Sequence, residues 1–274
     1  MKIIVLLLLL SIIFFNVTIS ESHLQCPAGT WNGDVATGTW YDTPNNGNCG
    51  YKDLFGPLGP GTDQIVAINS HMFDGTTECG QCYRLYLENK TMDVIVTDKC
   101  PDAGWCDSER PHFDINKDAF YKIFRTPADK GIIEIKDGMT FVKIPCPFTK
   151  GNIKVRTKEG ASQFWASFLV FNHIIGVKGV DLVLGDTPDT RIPLERTSYN
   201  YFAAYLNFGT KPFTLIISSI FDQEVNITMN SPSGDSVKDT GEQFTEYDRE
   251  CYSNIDPSLN SAASSSTLSN TVGT

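Results

Sequence analysis

Seven of the chain's eight cysteines (Cys26, Cys49, Cys79, Cys82, Cys100, Cys106 and Cys146) fall before residue 150, with Cys251 far downstream. In an oxidising compartment such crowding reads as a disulfide framework of short, cross-linked elements. The start of the sequence points to that compartment. Lys2 is followed by an apolar run from Ile3 to Phe15 and then by small and polar residues. The run is short for a bilayer span and ends abruptly, so residues 1–22 read as a secretory signal peptide cleaved near Ser20–Ser22. No later segment is long and apolar enough to span a bilayer, and the mature protein is expected to be exported and free of the membrane.

Other uses of the cysteines are less compatible with this setting. Cys79-Gly80-Gln81-Cys82 has the spacing of a redox pair, but neighbouring cysteines in an exported chain make it part of the framework. His23, His71, His112 and His173 are scattered, none at ligand spacing from a cysteine pair, so no metal and no cofactor is expected. The net charge of −10, without a basic cluster, argues against nucleic acid and anionic polymers as partners. A neutral polymer, a sugar or a protein remains. Asn89-Lys90-Thr91 and Asn226-Ile227-Thr228 are glycosylation sequons on Asn89 and Asn226.

From Cys26 to Phe148, short apolar runs alternate with glycine and proline turns and predict strands at 39–41, 64–68, 82–87, 92–96, 132–135 and 140–144. His112-Phe113-Asp114 reads as extended. Ala119, Phe120, Ile123 and Phe124 recur at helical spacing, which predicts a helix over 116–125 with Asn116 as its N-cap and Pro127 beyond its end. A second helical or mixed segment is expected over 63–73. Residues 145–151 read as a linker. Strand signals then recur at 153–157, 166–171, 177–184, 201–208, 213–220 and 225–229, the pattern of a β-sandwich. Residues 251–274 are Ser/Thr/Asn-rich and are expected to be a disordered tail. The fold class is therefore all-β with one or two short helices, in two domains, 23–148 and 149–250.

Candidate chemistry centres on 92–125. Asp98 lies where a strand leaves the sheet, and Asp114 precedes the helix, whose N-terminal amides would favour its charged form. A carboxylic acid in a partly dry groove can protonate a glycosidic oxygen or hydrogen-bond a sugar hydroxyl. His112 and Asp114, two apart on an extended segment, face the same way while Phe113 points to the core. Trp40 and Tyr41 form an early aromatic run ending in a third acid, Asp42. Phe164, Trp165, Tyr199 and Tyr201 offer flat rings on which a neutral sugar could stack. Strand alternation allows only one of Phe164 and Trp165 to be exposed unless the strand bulges.

These motifs, in this order, resemble the expansin family: GTWYD at 38–42, NCGY at 48–51, ECGQCY at 78–83, VTDKCP at 96–101, WC at 105–106, HFD at 112–114 and IPC at 144–146. Residues 151–182 are similar to the start of the expansin carbohydrate-binding module, nearest the microbial type. The resemblance implies a double-psi β-barrel followed by an immunoglobulin-like β-sandwich, together forming one polysaccharide groove. It implies an extracellular or wall protein that binds cellulose or a related neutral glucan and loosens it without hydrolysis; a monomer is expected. By motif, Thr39, Asp98 and Asp114 take the groove's polar positions, with Trp40, Tyr41 and His112 beside them. Lys158, Phe164, Trp165 and Tyr199 take the binding platform. The family pattern implies disulfides Cys49–Cys79, Cys82–Cys146 and Cys100–Cys106, leaving Cys26 and Cys251 to staple the chain ends.

Two departures bear on function. Phe164 stands where the bacterial pattern has tryptophan, which gives a smaller stacking face. Asp42 stands where plant expansins usually carry glycine and where related family 45 endoglucanases place a catalytic base, with Asp114 at the acid position. An inverting glycosidase needs those carboxyl groups roughly 6.5–9.5 Å apart across the groove. Two alternatives to loosening follow: an endoglucanase using Asp114 and Asp42, and a matrix protein that only coats cellulose.

Overall fold

The computed structural model describes residues 34–124 and 131–247. The expected signal peptide, the tail, Arg125, and Cys26 with Cys251 lie outside the described residues.

The first unit contains β1 (Thr37–Tyr41), β2 (Ile65–Ile68), a one-turn helix α1 (Ser70–Phe73), β3 (Cys82–Leu87), β4 (Lys90–Lys99), β5 (His112–Asn116), helix α2 (Lys117–Ile123) and β6 (Thr140–Ile144). The strands run in the order β1-β5-β2-β4-β3-β6. β1 lies parallel to β5 and β2 parallel to β4, while the remaining neighbours are antiparallel. A Val35↔Thr140 bridge joins the two edges into a closed double-psi barrel. Tyr83, Phe113 and Phe141 meet edge-on in its core, with ring centroids 4.9–5.8 Å apart.

The second unit is an immunoglobulin-like sandwich. Its strands are β7 (Lys154–Thr157), β8 (Ala166–Phe171), β9 (Val177–Leu184), β10 (Arg191–Pro193), β11 (Glu195–Arg196), β12 (Tyr201–Ala204), β13 (Phe213–Ser219), β14 (Glu224–Met229) and β15 (Val237–Asp239). They form sheets β10-β9-β13-β14 and β11-β12-β8-β7-β15.

Several local expectations change. The strand expected at 132–135 is a single bridge, Ile133↔Gly38, followed by a 3-10 turn at Ile135–Asp137. The strand expected over 201–208 ends at Ala204. Asn116 does stand before α2, but its side chain donates to the Asp63 carbonyl at 2.8 Å rather than capping the helix. The short edge strands β10, β11 and β15 carried too few alternating residues to be read.

Three disulfides, Cys49–Cys79, Cys82–Cys146 and Cys100–Cys106, cross-link the barrel and its exit. The sandwich sheet is docked onto the barrel: Leu169, Phe171 and Tyr201 belong to the barrel's own apolar cluster. Polar contacts seal the seam. Arg196 donates to the Thr76 carbonyl (3.0 Å) and to that of Val177, Asn200 Nδ2 donates to the Cys49 carbonyl (3.3 Å), and Asn48 Nδ2 to the Ser198 carbonyl (2.6 Å).

Candidate functional site

Strand pairing assembles the barrel site. In register, Thr39 of β1 lies beside Asp114 of β5, Asp114 beside Ala67 of β2, and Ala67 beside Asp98 of β4. One row across four strands therefore holds a hydroxyl, an acid, a small buried residue and a second acid. A register shift at Val66/Ala67 skips Thr97 and brings Asp98 into the row. With two strand spacings between them, the Asp98 and Asp114 backbones stand roughly 10 Å apart. Ala67 is covered by Cys100, Cys106 and the Tyr41 ring.

Asp98 is fixed by backbone amides: Oδ1 accepts from Asn48 N at 2.6 Å and Lys99 N at 2.8 Å. This approach requires Gly47, where a Cβ would stand 2.5 Å from the Thr97 carbonyl oxygen and 2.9 Å from the Asp98 Cβ. Asn48 also reaches Ser198 of the sandwich. The residue that orients Asp98 thus ties it to the segment carrying Tyr199.

Asp114 ends a directed hydrogen-bond chain. Thr37 Oγ1 lies 2.8 Å from His112 Nδ1, Thr39 Oγ1 lies 3.0 Å from His112 Nε2, and Thr39 donates to Asp114 Oδ1 at 2.7 Å. Burial pushes the His112 pKa down to about 4, so the ring is neutral at physiological pH. Because Thr39 spends its single proton on Asp114, it accepts from His112 Nε2–H, and Nδ1 accepts from Thr37; this assignment follows from the network. Asp114 Oδ2, 3.8 Å from the Cys100 sulfur, is the oxygen left for a ligand.

The Asp114 pKa is pushed up to about 6, first by burial and then by the charges of Asp102 and Asp98, against the lowering effect of Thr39. This reverses the expectation that helix amides would favour the charged form. α2 begins only at Lys117, beyond reach of the carboxyl's own strand position, and desolvation decides the balance. The Tyr41 hydroxyl is likewise raised by burial and by Asp98. It lies beside the Thr97 hydroxyl without the alignment of a full hydrogen bond.

Strand alternation sorts the remaining barrel residues. Thr39 and Tyr41 face Asp114, so Trp40 faces the other side of β1, and Asp42 lies in the bend just past the strand's end. There Lys117 stacks on Trp40 at 4.4 Å and pairs with Asp42 at 3.9 Å, and Trp40 packs on Tyr121 at 5.7 Å. The structure therefore does not bring Asp42 or Trp40 together with Asp114. It does bring two residues that the sequence reading did not place in the groove. Trp105, in the loop closed by Cys100–Cys106, lies 5.7 Å from the His112 ring and is 39% exposed. A carboxylate oxygen of Asp102 lies within 4.8 Å of one of Asp114.

On the sandwich, Ser162 and Trp165 pair across a tight turn, which leaves Phe164 at the corner, 65% exposed, and Trp165 half-buried. Tyr199 is exposed and packs on Tyr201 at 5.6 Å, and Lys158 sits 5.8 Å from the Tyr201 ring. Asn89, in the two-residue β3–β4 turn, and Asn226, on β14, are both exposed. Among the described residues, the groups with metal-ligand spacing are Cys100/Cys106/His112 and Cys100/Asp102/Asp114. Both count on sulfurs held in a disulfide, which lack the thiolate that binds a metal. No helix among the described residues is long and apolar enough to cross a membrane.

Comparison with known proteins places this architecture. The expansin N-terminal domain matches residues 1–136 and the expansin-like protein middle domain matches residues 149–245. Expansin-like protein 6 of Dictyostelium discoideum is 37% identical over 246 residues, covering 89% of this chain and 82% of the relative. Expansin-like protein 5 of the same organism is 35% identical, covering 88% of this chain and 96% of the relative. An apo expansin of Clavibacter michiganensis superposes with a TM-score of 0.63 at 24% identity, over 77% of this chain and 98% of that one. A mutant of that bacterial expansin, in complex with cellohexaose, superposes equally, over 80% of this chain and 99% of that one, at a TM-score of 0.63 and 23% identity. This chain belongs to the expansin family.

Proposed function

We propose that this is an extracellular protein that binds cellulose or a related neutral glucan along one surface and loosens it without cutting it. The observation that carries the reading is the row Thr39–Asp114–Ala67–Asp98, tied through Asn48 to the aromatic face of the sandwich. Stacking on Trp165, Phe164 and Tyr199 holds the chain without charge, which suits a neutral polymer. With a pKa near 6, Asp114 carries a proton on Oδ2 through the mildly acidic range and donates it in a hydrogen bond to a sugar hydroxyl. Asp98, held by two amides, accepts from another hydroxyl. Hydroxyl contacts between neighbouring glucans are replaced, and no covalent bond need break.

Non-hydrolytic action is supported by Asp42. Hydrolysis with inversion requires a base across the substrate from the acid, and Asp42, in the bend after β1, pairs with Lys117 of α2 instead. The cellohexaose bound in the bacterial expansin structure supports cello-oligosaccharides as the ligand class. The test is extension of cellulose-rich walls under load, run beside a reducing-end measurement. Extension without new reducing ends, abolished in Asp114→Ala, is expected; soluble oligosaccharides lost in Asp42→Asn would establish an endoglucanase instead. Binding without extension would leave a coating protein.

A further inference from the structure

The sandwich face carries one more aromatic residue than the family motif marks. Along β12 and its continuation, Phe202, Ala204 and Leu206 pack into the sandwich core, whereas Tyr201 packs toward the barrel. The same alternation puts Ala203 and Tyr205 on the Tyr201 side. Tyr205 is 75% exposed, the most exposed large apolar side chain among the described residues. On β8, Leu169 and Phe171 belong to the barrel-facing cluster, so Ser167 and Trp165 share that face.

Register aligns the two rows. Tyr201 pairs with Leu169, Ala203 with Ser167 and Ala204 with Ala166. One further step sets Tyr205 opposite Trp165. The continuation is held there by Phe208 N donating to the Gln163 carbonyl at 2.9 Å and by Gln163 Nε2 donating to Asn207 Oδ1 at 3.1 Å. Four residues of extended chain put Tyr205 roughly 13 Å beyond Tyr201, at the end of the sheet remote from the barrel.

We propose that Tyr205 is a further stacking residue that carries the binding face along β12 beyond Tyr201, beside Trp165, and biases this protein toward long, unbranched glucan over short oligosaccharides. The inference rests on the glucan-binding reading above. A tyrosine orders only two side-chain torsions on binding, so an exposed ring gains contact area at low entropic cost.

The test compares the full-length secreted protein with Tyr205→Ala, Tyr205→Phe and Trp165→Ala by calorimetry on cellotriose and cellohexaose and by pull-down on microcrystalline cellulose. Tyr205→Ala should weaken binding to cellohexaose and cellulose by about three- to tenfold, in the range of one ring contact. Cellotriose binding, the melting temperature and the affinities of Tyr205→Phe should stay at wild-type values. If Tyr205→Ala binds every ligand like wild type while Trp165→Ala does not, the role of Tyr205 is overturned and the glucan reading stands. Equal weakening on cellotriose and cellohexaose would overturn the length preference. A wild-type protein that binds none of the three would overturn both readings.

Discussion

Two carboxyl groups are buried in the same barrel, and their neighbours differ in kind. Glu78 accepts from the Lys143 ammonium at 2.8 Å and from the Tyr83 hydroxyl at 2.5 Å. Asp114 is bonded to a Thr39 hydroxyl and repelled by the charges of Asp102 and Asp98. The buried Glu78 carboxylate is balanced by a cation and serves the barrel's own interior. A buried acid without a cation is instead pushed toward its protonated form, first by burial and then by the charges of other acids. Only the second keeps a hydrogen-bond donor that a ligand can take. The same desolvation thus produces a structural ion pair in one place and a groove acid in the other.

The largest effect that would break this contrast is on the structural side. Lys143→Met should cost about 3–5 kcal/mol, because it leaves Glu78 buried without its counter-charge. The double variant with Glu78→Gln should recover most of that loss in thermal or urea unfolding. A Lys143→Met protein as stable as wild type would mean that the pair is not closed in solution.

On the groove side the sign reverses. A carboxyl whose pKa rises from 3.8 to about 6 on folding binds more protons when folded. Stability is therefore lost as pH rises through that window. Asp114→Asn removes the penalty and should stabilise the protein at neutral pH by about 1–3 kcal/mol, the lower end allowing for solvent screening at the open side of the groove. The gain should disappear below about pH 4, where both states carry the proton. Equal stability of the two proteins at all pH values would count against a raised pKa.

The smallest effect expected is at Asp42. Its pairing with Lys117 is solvent-exposed, with 64% of the Asp42 side chain accessible. Asp42→Asn should change stability by less than about 0.5 kcal/mol and leave wall extension unaltered. Any loss of extension would place Asp42 in the working groove after all.

Much of this contrast was legible before the structure, and its limits follow from range. The alternation that turns His112 and Asp114 one way and Phe113 the other is local, and it holds: Phe113 is buried in the aromatic core. The chain ending at Asp114 is not local. Thr37 and Thr39 reach it only through parallel pairing with β5, more than seventy positions away. Ala67 gave no signal as the spacer between the two acids, because an alanine in an apolar run looks like any core residue. The protonation of Asp114 was read from its nearness to a helix start, whereas desolvation, a property of the closed barrel, sets it. Asp42 stood at a motif position, yet it follows the end of β1, and its partner Lys117 lies on α2, far along the chain.

The most direct test of the account is a carbon-detected NMR titration of the Asp114 side-chain carboxyl in the intact protein. A midpoint at about 6 is expected. A midpoint at or below the ordinary aspartate value of about 4 would contradict it, because the groove acid would then be a bare carboxylate with no proton to offer a sugar.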